Sequence, residues 1–199
     1  MTNKVSIVIR CLNENENLKI LIPLLLSQTE KNFEIIFVDS GSNDGTLDTI
    51  SSYLSQYDNI SLFHINKNEF TFGKSLNIGF AETSGQIIVS LSAHCFPKNN
   101  EWLKNIINSF SNQDIGIVYG CQSPHSETMH SESSVQKKWF SGESKIISGV
   151  FFPGTGTRSK QASKQARRKK TLNSSFGAIS VFFFPRAKGT RSKQASKEG

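Results

Sequence analysis

Apolar residues fall in short blocks separated by polar turns, and two kinds of block alternate along the first 120 positions. Val5-Ser6-Ile7-Val8-Ile9-Arg10, Phe33-Glu34-Ile35-Ile36-Phe37-Val38-Asp39, Ile60-Ser61-Leu62-Phe63-His64-Ile65, Gln86-Ile87-Ile88-Val89-Ser90-Leu91-Ser92 and Ile115-Gly116-Ile117-Val118-Tyr119-Gly120 are strand-length and rich in β-branched or aromatic residues. The first two are apolar on both parities, as strands covered on both sheet faces should be. Between them lie segments with apolar residues at helical spacing. These predict helices over about residues 15–28, from Thr46 to Tyr57, from Phe72 to Glu82 and from Trp102 to Phe110. Asn13-Glu14-Asn15-Glu16-Asn17 offers caps and negative charge for the first turn of the first helix.

Strands alternating with helices at this rhythm imply an α/β domain with a mostly parallel sheet and right-handed crossovers. Ligands of such sheets bind beyond the carboxyl ends of the strands. The polar residues at those ends are Arg10 to Glu14, Asp39 to Asp44 and Ser92 to His94, which makes them the candidate site.

The pattern then stops. Residues 122–145 are polar and rich in Ser and His, and Gly156 to Lys164 (GTRSKQASK) recurs unchanged at Gly189 to Lys197. The preceding segments Ile147 to Pro153 and Ile179 to Pro185 are also alike, but two copies are too few to bury a repeat core. Charge marks the same boundary. Residues 1–140 carry 10 Lys or Arg against 14 Asp or Glu, whereas residues 141–199 carry 13 against 2, so the net +7 belongs to the tail. The expected division is a folded domain over 1–125, a polar linker over 126–145 and a basic, disordered, repeat-containing tail over 146–199. Such a tail can contact anionic membrane or nucleic acid without sequence specificity, since aromatic interleaving is lacking.

No stretch reaches transmembrane length, and Met1 leads straight into a strand, which reads as a cytoplasmic protein, with peripheral attachment at the inner membrane face as an extension. Cys11, Cys95 and Cys121 lie far apart without a CxxC pair and read as reduced thiols.

Four segments in order, VSIVIRCLNENENL, EIIFVDSGSNDGT, EFTFGKSLNIGFAETSGQIIVSLSAHCFP, and EWLKNIINSF with GIVYGCQSP, resemble family 2 glycosyltransferases over residues 4–124. The FTFGKSLN and Ser92-Ala93-His94 wording is closest to a bacterial rhamnosyltransferase-like subgroup. The resemblance implies a GT-A fold, Rossmann-like, with a mostly parallel sheet flanked by helices. It also implies a UDP- or dTDP-type nucleoside diphosphate sugar as donor, an acceptor glycan or lipid-linked saccharide, and a role in cell-envelope polysaccharide synthesis.

Site roles follow from that resemblance. Asp39 would accept hydrogen bonds from the nucleobase, or else cap the adjacent turn, and Gly41 and Ser92 would also line the nucleotide sugar. Asp44 would cap the helix starting near Thr46. Asn13 and Glu14 match the family's Asn-Glu pair beside the nucleotide, though Glu14 can equally serve a helix first turn. Arg10 would face the diphosphate or pair with a carboxylate. Gly73-Lys74-Ser75 mimics a P-loop ending, but the motif's first glycine falls on Asn68, so Lys74 and Asn77 are read instead as opening a helix near the nucleotide.

Ser92-Ala93-His94 stands where many relatives carry Asp-x-Asp to hold a divalent cation. Mg²⁺ prefers oxygen ligands and Mn²⁺ tolerates imidazole, so His94 is the one candidate metal ligand. It could instead bond the diphosphate directly or be a strand-end histidine satisfied by backbone. His64, His125 and His130 have no matching ligand cluster and read as structural or surface residues.

Inverting family members use a carboxylate base from the later half of the domain. Here only Glu143 and Glu198 follow Glu132, although Asn173 to Ile179 faintly resembles an acceptor-side segment. The expected activity is sugar transfer to an acceptor hydroxyl with inversion, of hexosyltransferase type. The alternative is an inactive nucleotide-sugar-binding remnant of a truncated or frameshifted enzyme. A sugar-phosphate nucleotidyltransferase is disfavoured, because no Gly-rich loop bearing Arg and Lys follows the first strand.

Overall fold

A computed structural model describes residues 4–111, 115–120 and 180–183. Among the described residues up to position 120, five strands and four α-helices follow in chain order. They are β1 (Val5–Cys11), α1 (Asn15–Leu26), β2 (Phe33–Asp39), α2 (Thr46–Leu54), β3 (Ile60–His64), α3 (Phe72–Ala81), β4 (Ile87–Ser92), α4 (Trp102–Ser109) and β5 (Ile117–Tyr119). A sixth strand, β6, spans Ser180–Phe183.

The sheet order is β3-β2-β1-β4-β6-β5. β1, β2, β3 and β4 run parallel, and β6 is antiparallel to both β4 and β5. After β1 the chain builds outward through β2 and β3, then returns to lay β4 against the other edge of β1. The switch point of the topology therefore falls between the carboxyl ends of β1 and β4, where open α/β sheets form their ligand crevice.

β6 lies in the segment that the sequence assigns to a disordered tail, and for these four residues that expectation is corrected. An open edge of β4 presents unpaired N–H and C=O groups, and the apolar Ser180-Val181-Phe182-Phe183 pairs with them from Ile87 to Ser90. The linker, the repeated nonamer and the rest of the basic segment lie outside the described residues, as do Cys121, His125 and His130. No helix among the described residues is long and apolar enough to cross a membrane.

Both sheet faces are covered, which explains why β1 and β2 are apolar on both parities. On one face Val5, Ile7 and Ile9 of β1 meet Leu18, Leu21, Ile22 and Leu25 of α1, Ile50 of α2, and Leu103 and Ile106 of α4. On the other, Val8, Ile36, Val38 and Ile88 meet Leu76, Ile78 and Phe80 of α3. α3 approaches closely through Gly79, where a Cβ would stand 2.3 Å from Val8 Cγ1 and 3.1 Å from Val38 Cγ2. No real Cβ tolerates the shorter distance, so glycine sets the spacing of helix and sheet.

The amino ends of the central strands are tied by Glu34. Its carboxylate receives hydrogen bonds from Lys4 Nζ (2.8 Å), Ser84 N (2.7 Å) and the hydroxyls of Ser6 and Ser84. Partial burial opposes ionisation, but these donors outweigh it and hold the Glu34 carboxyl at about 2. This clasp fixes the turn before β4 against β1, at the opposite end of the sheet from the candidate site.

Candidate functional site

Beyond the carboxyl ends of β1 and β2, two loops are stitched together. Asn13 adopts a left-handed backbone (φ 55°), which asparagine tolerates better than most residues, and its side-chain oxygen accepts from Asn43 N at 2.9 Å. Asn13 N in turn donates to Ser42 Oγ at 2.9 Å, and Glu14 N donates to Thr46 Oγ1 at 2.8 Å. Asp44 serves two helices at once. It accepts from Thr46 N (3.0 Å) at the start of α2 and from Asn15 N (3.1 Å) at the start of α1. The sequence assigns the cap of α1 to its own Asn and Glu residues, yet Glu14 at the N-cap position makes no side-chain cap bond. The cap comes from the neighbouring loop, a long-range contact that sequence spacing does not reveal.

Asp39 closes β2 and is 1% exposed. Its Oδ2 accepts from Gly41 N (2.8 Å) and Ser42 N (3.1 Å), and its Oδ1 accepts from the Ser42 hydroxyl. Gly41 has φ 97°, which L side chains rarely adopt, so the turn that wraps the carboxylate requires glycine there. Of the two roles considered for Asp39, the turn-holding one is visible directly. His64 at the end of β3 brings its Nδ1 to 3.9 Å from Asp39 Oδ2, so this imidazole lines the same strand ends. The sequence reads His64 as a structural or surface residue, and its side chain is 61% exposed.

At the switch point, Glu14 and His94 meet. His94 Nδ1 lies 3.2 Å from Glu14 Oε1, while the other Glu14 oxygen accepts from Asn17 Nδ2 at 2.6 Å. Ser92 Oγ lies 3.1 Å from His94 Nε2. Partial burial pushes the Glu14 carboxyl up, but hydrogen bonds from His94 and Asn17 and the His94 charge outweigh it, and the carboxyl titrates below its ordinary value. The imidazole is thus held by side chains, and the reading of His94 as a histidine satisfied by backbone is corrected.

Arg10 aligns with Val38 on one side and Ser92 on the other. Its guanidinium lies over the Phe72 ring, 4.5 Å from the centroid, and Phe70 meets Phe72 edge-on at 5.4 Å between centroids. Burial lowers the Arg10 pKa. Among the described residues no carboxylate comes within ion-pair distance of Arg10. Phe72 was inside a recognised motif, but its partner could be named only once β1 and the start of α3 were placed together.

Arg10, Asn13, Glu14, Asp39, Gly41, Ser92 and His94 therefore share one end of the sheet. Lys74 and Asn77 sit on exposed positions of α3. Thr71 caps that helix by accepting from Lys74 N at 3.0 Å, and Lys74 Nζ pairs with Glu69 at 2.6 Å. The thiols of Cys11 and Cys95 are pushed up by burial and by nearby carboxylates, Cys95 to about 11.

The donor set among the described residues does not fit a protein-held divalent cation. Among the described residues no three His, Cys, Asp or Glu side chains converge as a ligand group. His94 Nδ1 and one Glu14 oxygen face each other, the other Glu14 oxygen accepts from Asn17, and His94 Nε2 lies against the Ser92 hydroxyl.

Comparison with known proteins gives this arrangement its family. The profile described as glycosyl transferase family 2 matches residues 6–187, and the chain belongs to that family. The match runs past the segments recognised in the sequence and takes in both Asn173 to Ile179 and β6. Among curated relatives, glycosyltransferase AglE of Haloferax volcanii is 29% identical over 118 residues, covering 58% of this chain and 38% of the relative. The O-antigen chain rhamnosyltransferase RfbN of Salmonella typhimurium is 28% identical over 125 residues, 62% of this chain and 38% of its own length. The chain thus spans less than two fifths of either relative. Among solved structures, mannosyltransferase PcManGT of Pyrobaculum calidifontis, in complex with GDP-Man and Mn²⁺, aligns with TM-score 0.55 at 20% identity, over 62% of this chain and 36% of that one. TarS 1–349 of S. aureus in complex with UDP-GlcNAc aligns with TM-score 0.52 at 22% identity, over 62% and 37%. The fold is GT-A.

Proposed function

We propose that this chain supplies the donor-binding half of a glycosyltransferase. It takes a nucleoside diphosphate sugar at the carboxyl ends of β1, β2 and β4 for inverting transfer to an acceptor hydroxyl. The observation that carries the reading is the convergence of Arg10, Asn13, Glu14, Asp39, Ser92 and His94 on the topological switch point of a family 2 glycosyltransferase sheet. Structural neighbours bound to GDP-Man and to UDP-GlcNAc support a nucleotide sugar as ligand class. Relatives such as the O-antigen rhamnosyltransferase support a role in envelope polysaccharide assembly, with a glycan or lipid-linked saccharide as acceptor.

Each residue has a task in this reading. The stitched loops at Asn13, Ser42 and Asp44 form a rigid rim, which lowers the ordering cost of binding. Asp39 holds the turn on which the base rests, and an imide N–H that displaces one turn donor would gain a charge-assisted bond. His94, oriented by Glu14, donates to a diphosphate oxygen as negative charge develops on the leaving group. A divalent cation, as in the mannosyltransferase complex, would be held here chiefly by the diphosphate rather than by protein carboxylates. The second reading, donor binding without turnover, is favoured by one observation: among the described residues no carboxylate is placed as an unengaged base beside the cluster.

The test is release of nucleoside diphosphate from a panel of UDP-, GDP- and dTDP-sugars, with lipid-linked and soluble acceptors. Multiple turnovers that depend on acceptor support transfer. Saturable donor binding without release supports the second reading, and no interaction with any donor contradicts both.

A further inference from the structure

Among the described residues, four charged side chains stand at the carboxyl ends of β1 and β2 and on the loops after them, and three of them are spent. Glu14 is bonded to His94 and Asn17, Asp39 to its own turn, and Asp44 to Thr46 and Asn15. Arg10 is the exception. It is half-buried on β1, aligned with Ser92 of β4, and lies over the Phe72 ring, with no carboxylate in ion-pair distance among the described residues. A guanidinium stacked on an aromatic face uses its π surface and leaves the N–H edge in its plane open. That edge suits two oxygens of a phosphate group. Phe72 is itself the first residue of α3, so the positive end of that helix lies beside the same guanidinium.

We infer that Arg10, held in place by Phe72, is the fixed positive charge that meets the donor diphosphate, and that donor binding by this chain needs no divalent cation coordinated by protein. This rests on the nucleotide-sugar reading above and goes beyond it by naming what replaces the missing ligand carboxylates. The position supports the assignment. Ser92 opens the Ser92-Ala93-His94 segment, so Arg10 brings its charge from the strand beside that segment and at its level. In parallel strands about 4.8 Å apart, aligned residues point to the same face, and Arg10 and Ser92 are aligned across β1 and β4. Phe72 acts as a positioning residue, fixing a side chain that otherwise samples many rotamers.

The experiment is calorimetric titration of the full chain with UDP, GDP, dTDP and uridine, each with excess EDTA and with Mg²⁺ or Mn²⁺. The expected result is diphosphate binding of equal affinity in all buffers. Arg10→Gln weakens it about 10- to 100-fold, as loss of charged hydrogen bonds does, and leaves uridine binding unchanged. Phe72→Leu weakens diphosphate binding as well, whereas Phe72→Tyr retains it because the stack survives. Diphosphate binding that requires Mg²⁺ or Mn²⁺ and does not respond to Arg10→Gln would overturn the inference while leaving the functional reading intact. A chain that binds none of the three diphosphates under any condition would overturn both.

Discussion

The imidazole of His94 and the carboxylate of Glu14, 80 positions apart in the chain, lie 3.2 Å from each other across the gap between β1 and β4. This contact couples the two strands that flank the switch point. It also accounts for the direction in which Glu14 titrates. Burial alone would raise its pKa, and the donors His94 and Asn17 reverse that. Removing the imidazole should let burial win back part of the difference. Carbon-detected titration of the Glu14 carboxyl should give a midpoint below the ordinary glutamate range in the native chain and a higher one in His94→Ala. An unchanged midpoint would mean that the contact does not form in solution.

Asp39→Asn replaces an acceptor-only carboxylate by an amide whose NH₂ group faces donors. The bonds from Gly41 N, Ser42 N and the Ser42 hydroxyl cannot all persist. The variant should lose about 1–3 kcal/mol of stability in urea denaturation and bind UDP and dTDP more weakly. Equal stability and equal affinity would remove Asp39 from both the turn and the base contact.

Gly79→Ala places a methyl group into Val8 and Val38, both in the buried face under α3. Overpacking of this kind costs about 1–3 kcal/mol. Thermal or urea unfolding should show the loss. Relief by Val8→Ala in the double variant would identify the clash as its origin, and additive effects would not.

Glu34 gives a pH dependence of known sign. Its folded-state carboxyl titrates at about 2 against an ordinary 4.5, so its contribution is complete above 4.5 and is lost as pH falls toward 2. Glu34→Gln should lower stability at neutral pH by about 1–3 kcal/mol, the range for hydrogen bonds to a charged group. The gap between native chain and variant should close as the solution is acidified through that window. A gap that stays constant with pH would show that the charge is not what stabilises the clasp.

The sheet was legible in the sequence because its determinants are local. β1 and β2 are apolar on both parities, and Leu18, Leu21, Ile22 and Leu25 mark α1 despite Pro23 in its interior. The sequence predicts α2 to Tyr57, whereas the helix ends at Leu54 and only Ser55 and Gln56 continue as turn, since frayed ends carry no periodic signal. β6 was hidden because the charges around Ser180–Phe183 dominate the composition, while the edge that selects it belongs to β4. Within the site, the strand-end positions were readable from topology rules, but their partners were not. Glu14 with His94, Asp44 with Asn15, and Arg10 with Phe72 each join separate elements, and only the assembled fold brings them together.

The central claim is that a nucleoside diphosphate sugar binds at the carboxyl ends of β1, β2 and β4. Amide chemical-shift mapping of the ¹⁵N-labelled chain during addition of UDP-, GDP- and dTDP-sugars tests it most directly. The account predicts saturable shifts confined to residues 10–14, 39–44 and 92–94 and the start of α3, with Lys4, Glu34 and Ser84 at the opposite end unmoved. Saturable shifts centred on that opposite end, or none with any donor, would contradict it.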